Sequence, residues 1–392
     1  MWFSRRDEGS LFLDAEETSA YSRVVNELLK QHVPREDLSR RSVEAFLQEA
    51  LFGSLDLQSR SSSSFEERLR AALDRLLALL KAPSEVFRCW VPVEGLDLDK
   101  FAPRFGGIRF VKFGRHQVRQ PKLGRLKQQN RTDAWRWSRK RIRESNTWGS
   151  VCAAVDVSAR DAPSAETIAL RRTRQILDVL NLFTDLVPYN FGWLYLRGET
   201  APALQVVPIQ RRGGDFVSAS FTRLEPLATM SWKSLWAAKH IARPLRNLDK
   251  IAKADNVPGS CAALLLSAAQ WAGRATIDRR REQSFLLYAI ALETMMLPTK
   301  ETQGLGHRLR LRVAHLLGKN VAARERIAKE VGDLYEIRSK IVHAGSYEVT
   351  DLNLGSLRSL VKTVLFRLVL TAKIHSMSRQ ELSGWLDRKL LR

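Results

Sequence analysis

From Asp14 to about Lys81 apolar residues recur at spacings of three and four, as in Leu69, Leu73, Leu76, Leu77 and Leu80, a period that predicts helices. Within this stretch, Ser61 to Ser64 followed by Phe65-Glu66-Glu67 reads as a loop feeding a helix N-cap, with acids in the first turn. After Pro83 the texture changes. Residues 86–91, 108–113 and 151–157 are short β-favouring runs bounded by Gly, Pro or Asp. A helix is predicted from Ala162 to about Phe183, and strands at 192–196, 204–209 and 216–221. From Trp232 onward no strand pattern recurs. The stretches 259–273, 279–297, 302–317, 322–343, 354–376 and 378–390 read as helices separated by Gly, Pro or polar breaks. The predicted architecture is α+β and multidomain. An N-terminal helical segment (1–83) precedes a central α+β module with a small sheet (84–225), and an all-helical bundle (226–392) follows.

Composition adds a partner class. The 392 residues carry 64 Lys and Arg against 42 Asp and Glu, a net charge of +22, which points to a polyanion. Hydrophobic residues at 44% and ten Trp supply material for sizeable cores, so wholesale disorder is excluded. Cys89, Cys152 and Cys261 lie far apart, without a C-x-x-C, which excludes a disulfide framework and a cysteine zinc site. The start, Met1 to Glu8, has no apolar run, so the expected location is the reducing cytoplasm. The uncharged stretch Asn256 to Gly273 is interrupted by Pro258, Gly259 and polar residues. It reads as a buried core helix, and no membrane span is expected.

The excess charge is concentrated. Residues 102–144 hold fourteen Lys and Arg and two acids, Asp133 and Glu144. Here Trp135, Arg136, Trp137, Arg139, Lys140 and Arg141 interleave aromatics with cations, and Arg125, Lys127 and Arg131 precede them. Cations neutralise phosphates and aromatic faces stack bases, so these residues are candidates for nucleic-acid contact. A solvated basic loop anchored by its tryptophans is the alternative reading.

Most catalytic signatures are missing: there is no H-E-x-x-H, no G-x-S-x-G and no complete P-loop. What remains is Leu334-Tyr335-Glu336-Ile337-Arg338-Ser339-Lys340-Ile341-Val342-His343-Ala344-Gly345, in which Arg338 and His343 form R-x-x-x-x-H near a helix end. Arginine can hold a phosphate by forked charged hydrogen bonds, and histidine moves protons near neutral pH, so the pair suits metal-free RNA cleavage. A second copy, Arg310 with His315, sits in an evenly amphipathic run and reads as packing with a solvated basic side. Residues five apart on a helix are rotated by about 140° and rise about 7.5 Å, so neither pair shares one narrow face. His32, His116, His240, His307 and His375 have no companions at metal-ligand spacing.

Two blocks carry a wider resemblance: Phe285 to Leu297, with its Ala291-Leu292-Glu293, and the Leu334 to Gly345 run, separated by the helix to Leu317. In order and content, residues 279–376 resemble the HEPN superfamily, especially its Apea-like branch. The resemblance implies an all-helical domain that dimerises through the Arg/His helices, and a metal-independent endoribonuclease of host-defence or toxin systems. Arg338 and His343 match the catalytic pair, with Ser339 as the polar neighbour, and a dimer would bring both residue types to one composite cleft. No cofactor or metal is implied, and the expected partners are RNA, a second copy and an unidentified trigger, protein or nucleotide. A non-catalytic nucleic-acid-binding or scaffold protein using the same domain to dimerise is the alternative function. Glu293 is either paired in the bundle, with Arg338 as a natural partner, or on the solvent edge of its helix. Tyr335 is either core or interface, or a residue that stacks on substrate.

Overall fold

The computed structural model describes residues 84–98, 102–114, 149–160, 162–187, 193–196, 204–210, 216–223, 229–254, 258–299, 304–344 and 348–390. It also describes 2–4, 10–12 and the helical positions Ser19, Arg23, Asn26, Asp74 and Ala78; the remainder of the helices expected over 14–81 lies outside the described residues. The fold is mixed α+β. Two compact units form, one of residues 1–89 with 155–172 and the other of 90–154 with 173–392. Near the N-terminus β1 (Trp2–Ser4) pairs antiparallel with β2 (Ser10–Phe12), a short hairpin that the apolar spacing did not announce.

The central strands are β3 (Glu85–Glu94), β4 (Leu96–Asp97), β5 (Arg104–Phe105), β6 (Ile108–Lys112), β7 (Val151–Ala159) and β8 (Tyr195–Leu196). Five of them form one sheet in the order β5-β6-β7-β3-β8. Period-two burial explains why these runs are strands: along β7, Val155, Val157 and Ala159 are buried while Asp156 and Ser158 are exposed. On β6, Ile108 and Phe110 face the core, and Phe110 pairs with Ala153 across the antiparallel β6–β7 ladder. β9 (Leu204–Gln210) and β10 (Phe216–Arg223) form a separate antiparallel pair, and β11 (Met230–Ser231) runs parallel to β4. Strands occur at 86–91, 108–113, 151–157, 204–209 and 216–221 as expected, and the one expected at 192–196 is reduced to β8; the two-residue strands β4, β5 and β11 are additional.

The helices are α1 (Ala162–Asn181), α2 (Trp232–Ala237), α3 (Lys239–Lys253), α4 (Cys261–Ile277), α5 (Arg281–Met296), α6 (Leu305–Leu317), α7 (Val321–Ala344), α8 (Asp351–Val369) and α9 (Arg379–Leu390). The last six match the expected helical stretches, whereas α2 and α3 were not anticipated. In α3 the reason is Pro244, which removes a backbone donor and ordinarily argues against helix. α5 is apolar nearly all round because it is the centre of the bundle, packed against α4, α7 and α8. Polar caps set the ends: Ser260 accepts from the Ala263 amide, and Ser378 with Glu381 forms a reciprocal capping box at the start of α9.

The second half of α1 lies close against α4. A Cβ at Gly273 would stand 1.6 Å from the carbonyl oxygen of Asp178, so only glycine permits this approach. At the same contact Arg274 Nη2 donates to Asp178 Oδ2 at 3.1 Å, with the Asp178 side chain 7% exposed. Burial dominates the Arg274 and Arg174 charges and raises the Asp178 carboxyl from 3.8 to about 6. A carboxyl raised by folding contributes stability that is present below its unfolded value and lost as pH rises through the folded one. The loss falls between about pH 4 and pH 6 and amounts to about 3 kcal/mol. Asp178→Asn is therefore expected to melt like the parent at pH 4 and higher than the parent at pH 7. Parallel melting curves at the two pH values would contradict this.

Candidate active site

Arg338 lies in the last third of α7. Val331, Leu334 and Ile337 recur at helical spacing and are buried, which fixes that face of α7 against α5 and α6 and leaves Arg338 and Tyr335 at its border. Across this border stands Glu293 of α5. Arg338 Nη2 donates to Glu293 Oε2 at 3.4 Å, while Nε stands 3.1 Å from Oε1 at an angle too poor for a hydrogen bond. Both side chains are about a quarter exposed, Arg338 at 26% and Glu293 at 23%. Burial raises the Glu293 carboxyl above its usual value, and the Arg338 charge and hydrogen bond oppose that rise without cancelling it. Glu293 is thus paired with Arg338 at the partly exposed edge of the bundle.

Tyr335 stands one turn before Arg338, with the guanidinium carbon 5.9 Å from its ring centre. Its ring fills the space beside Gly306 of α6, where an added Cβ would meet ring carbons at 2.9 Å. This is a packing role. Leu292, Leu309, Leu334 and Leu357 line a narrow apolar pocket whose polar edge is Glu293, Tyr335 and Arg338. Ser339 is half-buried beside the arginine, and His343 is exposed in the last turn of α7. Arg338 and His343 are thus separated along the helix by about 7.5 Å of rise, one held at the bundle edge and the other in solvent.

The duplicate motif behaves differently. Arg310 donates to His307 Nδ1 at 2.8 Å on the surface, and His315 Nδ1 donates to the Lys389 carbonyl oxygen at 3.1 Å, which fixes its ring against α9. Packing, the role expected for this run, is what the geometry gives. Its basic side is not uniformly solvated, however. Arg312 is 1% exposed and donates to the Met296 carbonyl oxygen, to Ser383 Oγ and to Asp387 Oδ1. Residue type alone could not reveal this, because Arg310 and Arg312 differ only in helical phase.

Arg125, Lys127, Arg131, Trp135, Arg136, Trp137, Arg139, Lys140 and Arg141 lie outside the described residues. A second buried ion pair went unnoticed in the sequence: Lys362 of α8 donates to Asp185, and Arg358 stands 3.6 Å from the same carboxylate. Burial lowers the Lys362 amine, with Asp185 acting in the opposite direction. Among the described residues no helix is long and apolar enough to cross a membrane, and no group of three or more His, Cys, Asp or Glu side chains could hold a metal ion. Comparison with known proteins finds no matching family model, no matching curated protein and no matching solved structure.

Proposed function

We propose that the chain is a cytoplasmic endoribonuclease of the HEPN type, acting through Arg338 and His343 in a homodimer. The observation that carries this reading is the placement of the two residues: Glu293 holds Arg338 at the edge of the bundle while His343 is exposed at the end of the same helix. In the reaction, the ribose 2′-oxygen attacks phosphorus and the 5′-oxygen leaves, forming a 2′,3′-cyclic phosphate and a 5′-hydroxyl. His343 moves the proton, and the Arg338 fork exchanges Glu293 for the phosphoryl oxygens as charge develops there. A second protomer supplies the matching residues from its own α7. Val342, in the last turn of this helix, is exposed and offers apolar area for such pairing.

The test is incubation of the chain and of its His343→Ala variant with total RNA in chelator, with end-group analysis of the fragments. Cyclic phosphate ends are expected from the parent, and the variant should cut about 10²–10³-fold more slowly. An unchanged rate would remove His343 from the reaction. The pairing of Arg338 with Glu293 also suits a non-catalytic reading, in which the domain only dimerises. That reading predicts salt-dependent RNA binding with no fragments at all.

A further inference from the structure

α3 is the most one-sided helix of the C-terminal half. Ile241, Leu245, Leu248 and Ile251 are buried, Asn247 Nδ2 donates to the Val369 carbonyl oxygen at 3.0 Å, and Asp249 Oδ1 accepts the Gly106 amide at 2.8 Å. These contacts fix which face looks outward. On that face Lys239, Arg243, Arg246 and Lys250 are all exposed, and none of the four makes an ion pair among the described residues. Asp249, the one acid of α3, is occupied by the Gly106 amide and by Lys253. Helical geometry sets successive cations about 4.5–6 Å apart along the axis, a stripe of about 16 Å. α7 shows the contrast, because its basic residues are interspersed with Glu325, Glu330, Asp333 and Glu336.

The neighbouring hairpin repeats the pattern by an independent route. Arg104 on β5 and Arg109 on β6 stand directly opposite each other in the antiparallel register, a destabilising placement for like charges. The tight turn between them, Gly106 at φ +56, is the one whose amide Asp249 accepts, so this cation pair adjoins α3. Two elements thus carry mutually repelling cations, and among the described residues no acid pairs with them.

We infer that the outer face of α3, extended by the Arg104/Arg109 hairpin, is a binding surface for the phosphodiester backbone of single-stranded nucleic acid. A line of evenly spaced cations matches a polymer with one negative charge per unit rather than a single small anion. A lipid surface fits less well, because the apolar face of α3 is buried in the protein and none of its large apolar residues is exposed for insertion. The inference stands whether or not Arg338 and His343 cut RNA.

The test measures binding of the full-length chain to a fluorescein-labelled 20-mer of 2′-O-methyl RNA, by anisotropy across a salt series. This probe lacks the 2′-hydroxyl that the proposed cleavage needs. Combined Lys239→Gln, Arg243→Gln, Arg246→Gln and Lys250→Gln should weaken binding at least about tenfold at low salt and flatten the log–log salt slope by about 3, at about 0.7 per lost phosphate contact. Arg104→Gln with Arg109→Gln, on a different element, should flatten it by about 1. A control that removes the same charge elsewhere, Lys319→Gln, Arg326→Gln, Lys329→Gln and Arg388→Gln, should change the slope by less than about 1. The inference fails if the control matches the stripe variant, or if neither the stripe nor the hairpin variant alters binding. It also fails if the stripe variant loses phosphatidylserine vesicles while keeping RNA. Cleavage of unmodified RNA is scored separately, so loss of the stripe and loss of the nuclease reading remain distinguishable.

Discussion

Arg338→Ala is expected to lower RNA cleavage by about 10³–10⁴-fold, the scale set by removing an arginine that steadies a phosphoryl transition state. Arg338→Lys should recover little of it, because an ammonium cannot reproduce the fork that meets both carboxylate and phosphate oxygens. A second readout separates the chemistry from simple damage to the fold. Without Arg338, the Glu293 carboxyl keeps its burial and loses the charge that opposed the rise, so it shifts further upward. A raised carboxyl favours the folded state below its unfolded value and loses that advantage as pH rises through the folded value. The variant should therefore melt below the parent by a larger margin at pH 8 than at pH 5. The margin should reach only about 1–2 kcal/mol, because both side chains remain partly solvated. Single-turnover cleavage with detection of cyclic phosphate ends, together with melting at the two pH values, checks both parts. Undiminished cleavage would remove Arg338 from the reaction, and a pH-independent margin would contradict the account of Glu293.

Strands and helices were legible where burial follows a single period that no proline interrupts. The Val155, Val157, Ala159 alternation and the Val331, Leu334, Ile337 spacing each survive from pattern to structure because each faces one core. α3 failed that test for a local reason. Its 3.6-residue pattern of Ile241, Leu245, Leu248 and Ile251 is present, but Pro244 within it obscured the helix, and with the helix its stripe of cations went unseen. At the candidate site, the sequence named Arg338 and His343 for the proposed chemistry, and the Arg338–Glu293 pairing was expected because an acid in an apolar run requires a partner. It could not separate the Arg310/His315 copy by residue type. That distinction depends on tertiary placement: His315 is tied to the α9 backbone, whereas His343 is exposed. The ion pairs Lys362–Asp185 and Arg274–Asp178 join residues 177 and 96 positions apart, a separation at which no local pattern signals contact.

Arg312→Ala is expected to cost about 3–5 kcal/mol, the largest stability loss of any single change considered. Met296 ends α5, where the last carbonyls of a helix lack intrahelical donors and carry partial negative charge; Arg312 Nη1 donates to the Met296 carbonyl oxygen at 2.6 Å. The same guanidinium reaches Ser383 Oγ at 2.8 Å and Asp387 Oδ1 at 2.9 Å, so one buried side chain on α6 ties the end of α5 to the middle of α9. These contacts are unequal. Asp387 is 50% exposed and can rehydrate, but the guanidinium it faces is fully buried and would keep its charge without a carboxylate, so Asp387→Asn should cost about 1–3 kcal/mol, less than Arg312→Ala. The Met296 carbonyl and the Ser383 hydroxyl would lose their donor in the interior, where water cannot readily replace it. Arg312→Met, which restores most of the volume and none of the donors, should recover the part of the loss due to the cavity and leave about 1–3 kcal/mol. Urea unfolding of the three variants, compared at equal m-values, separates cavity from hydrogen bonding. If Arg312→Met were as unstable as Arg312→Ala, donors alone would account for the loss; if it matched the parent, packing alone would. Glu293 stands one helical turn before Met296 on α5, so RNA cleavage by the Arg312 variants should fall with the folded fraction and no further. A cleavage loss exceeding the unfolded fraction would mean that the end of α5 positions Glu293, and through it Arg338, for the reaction.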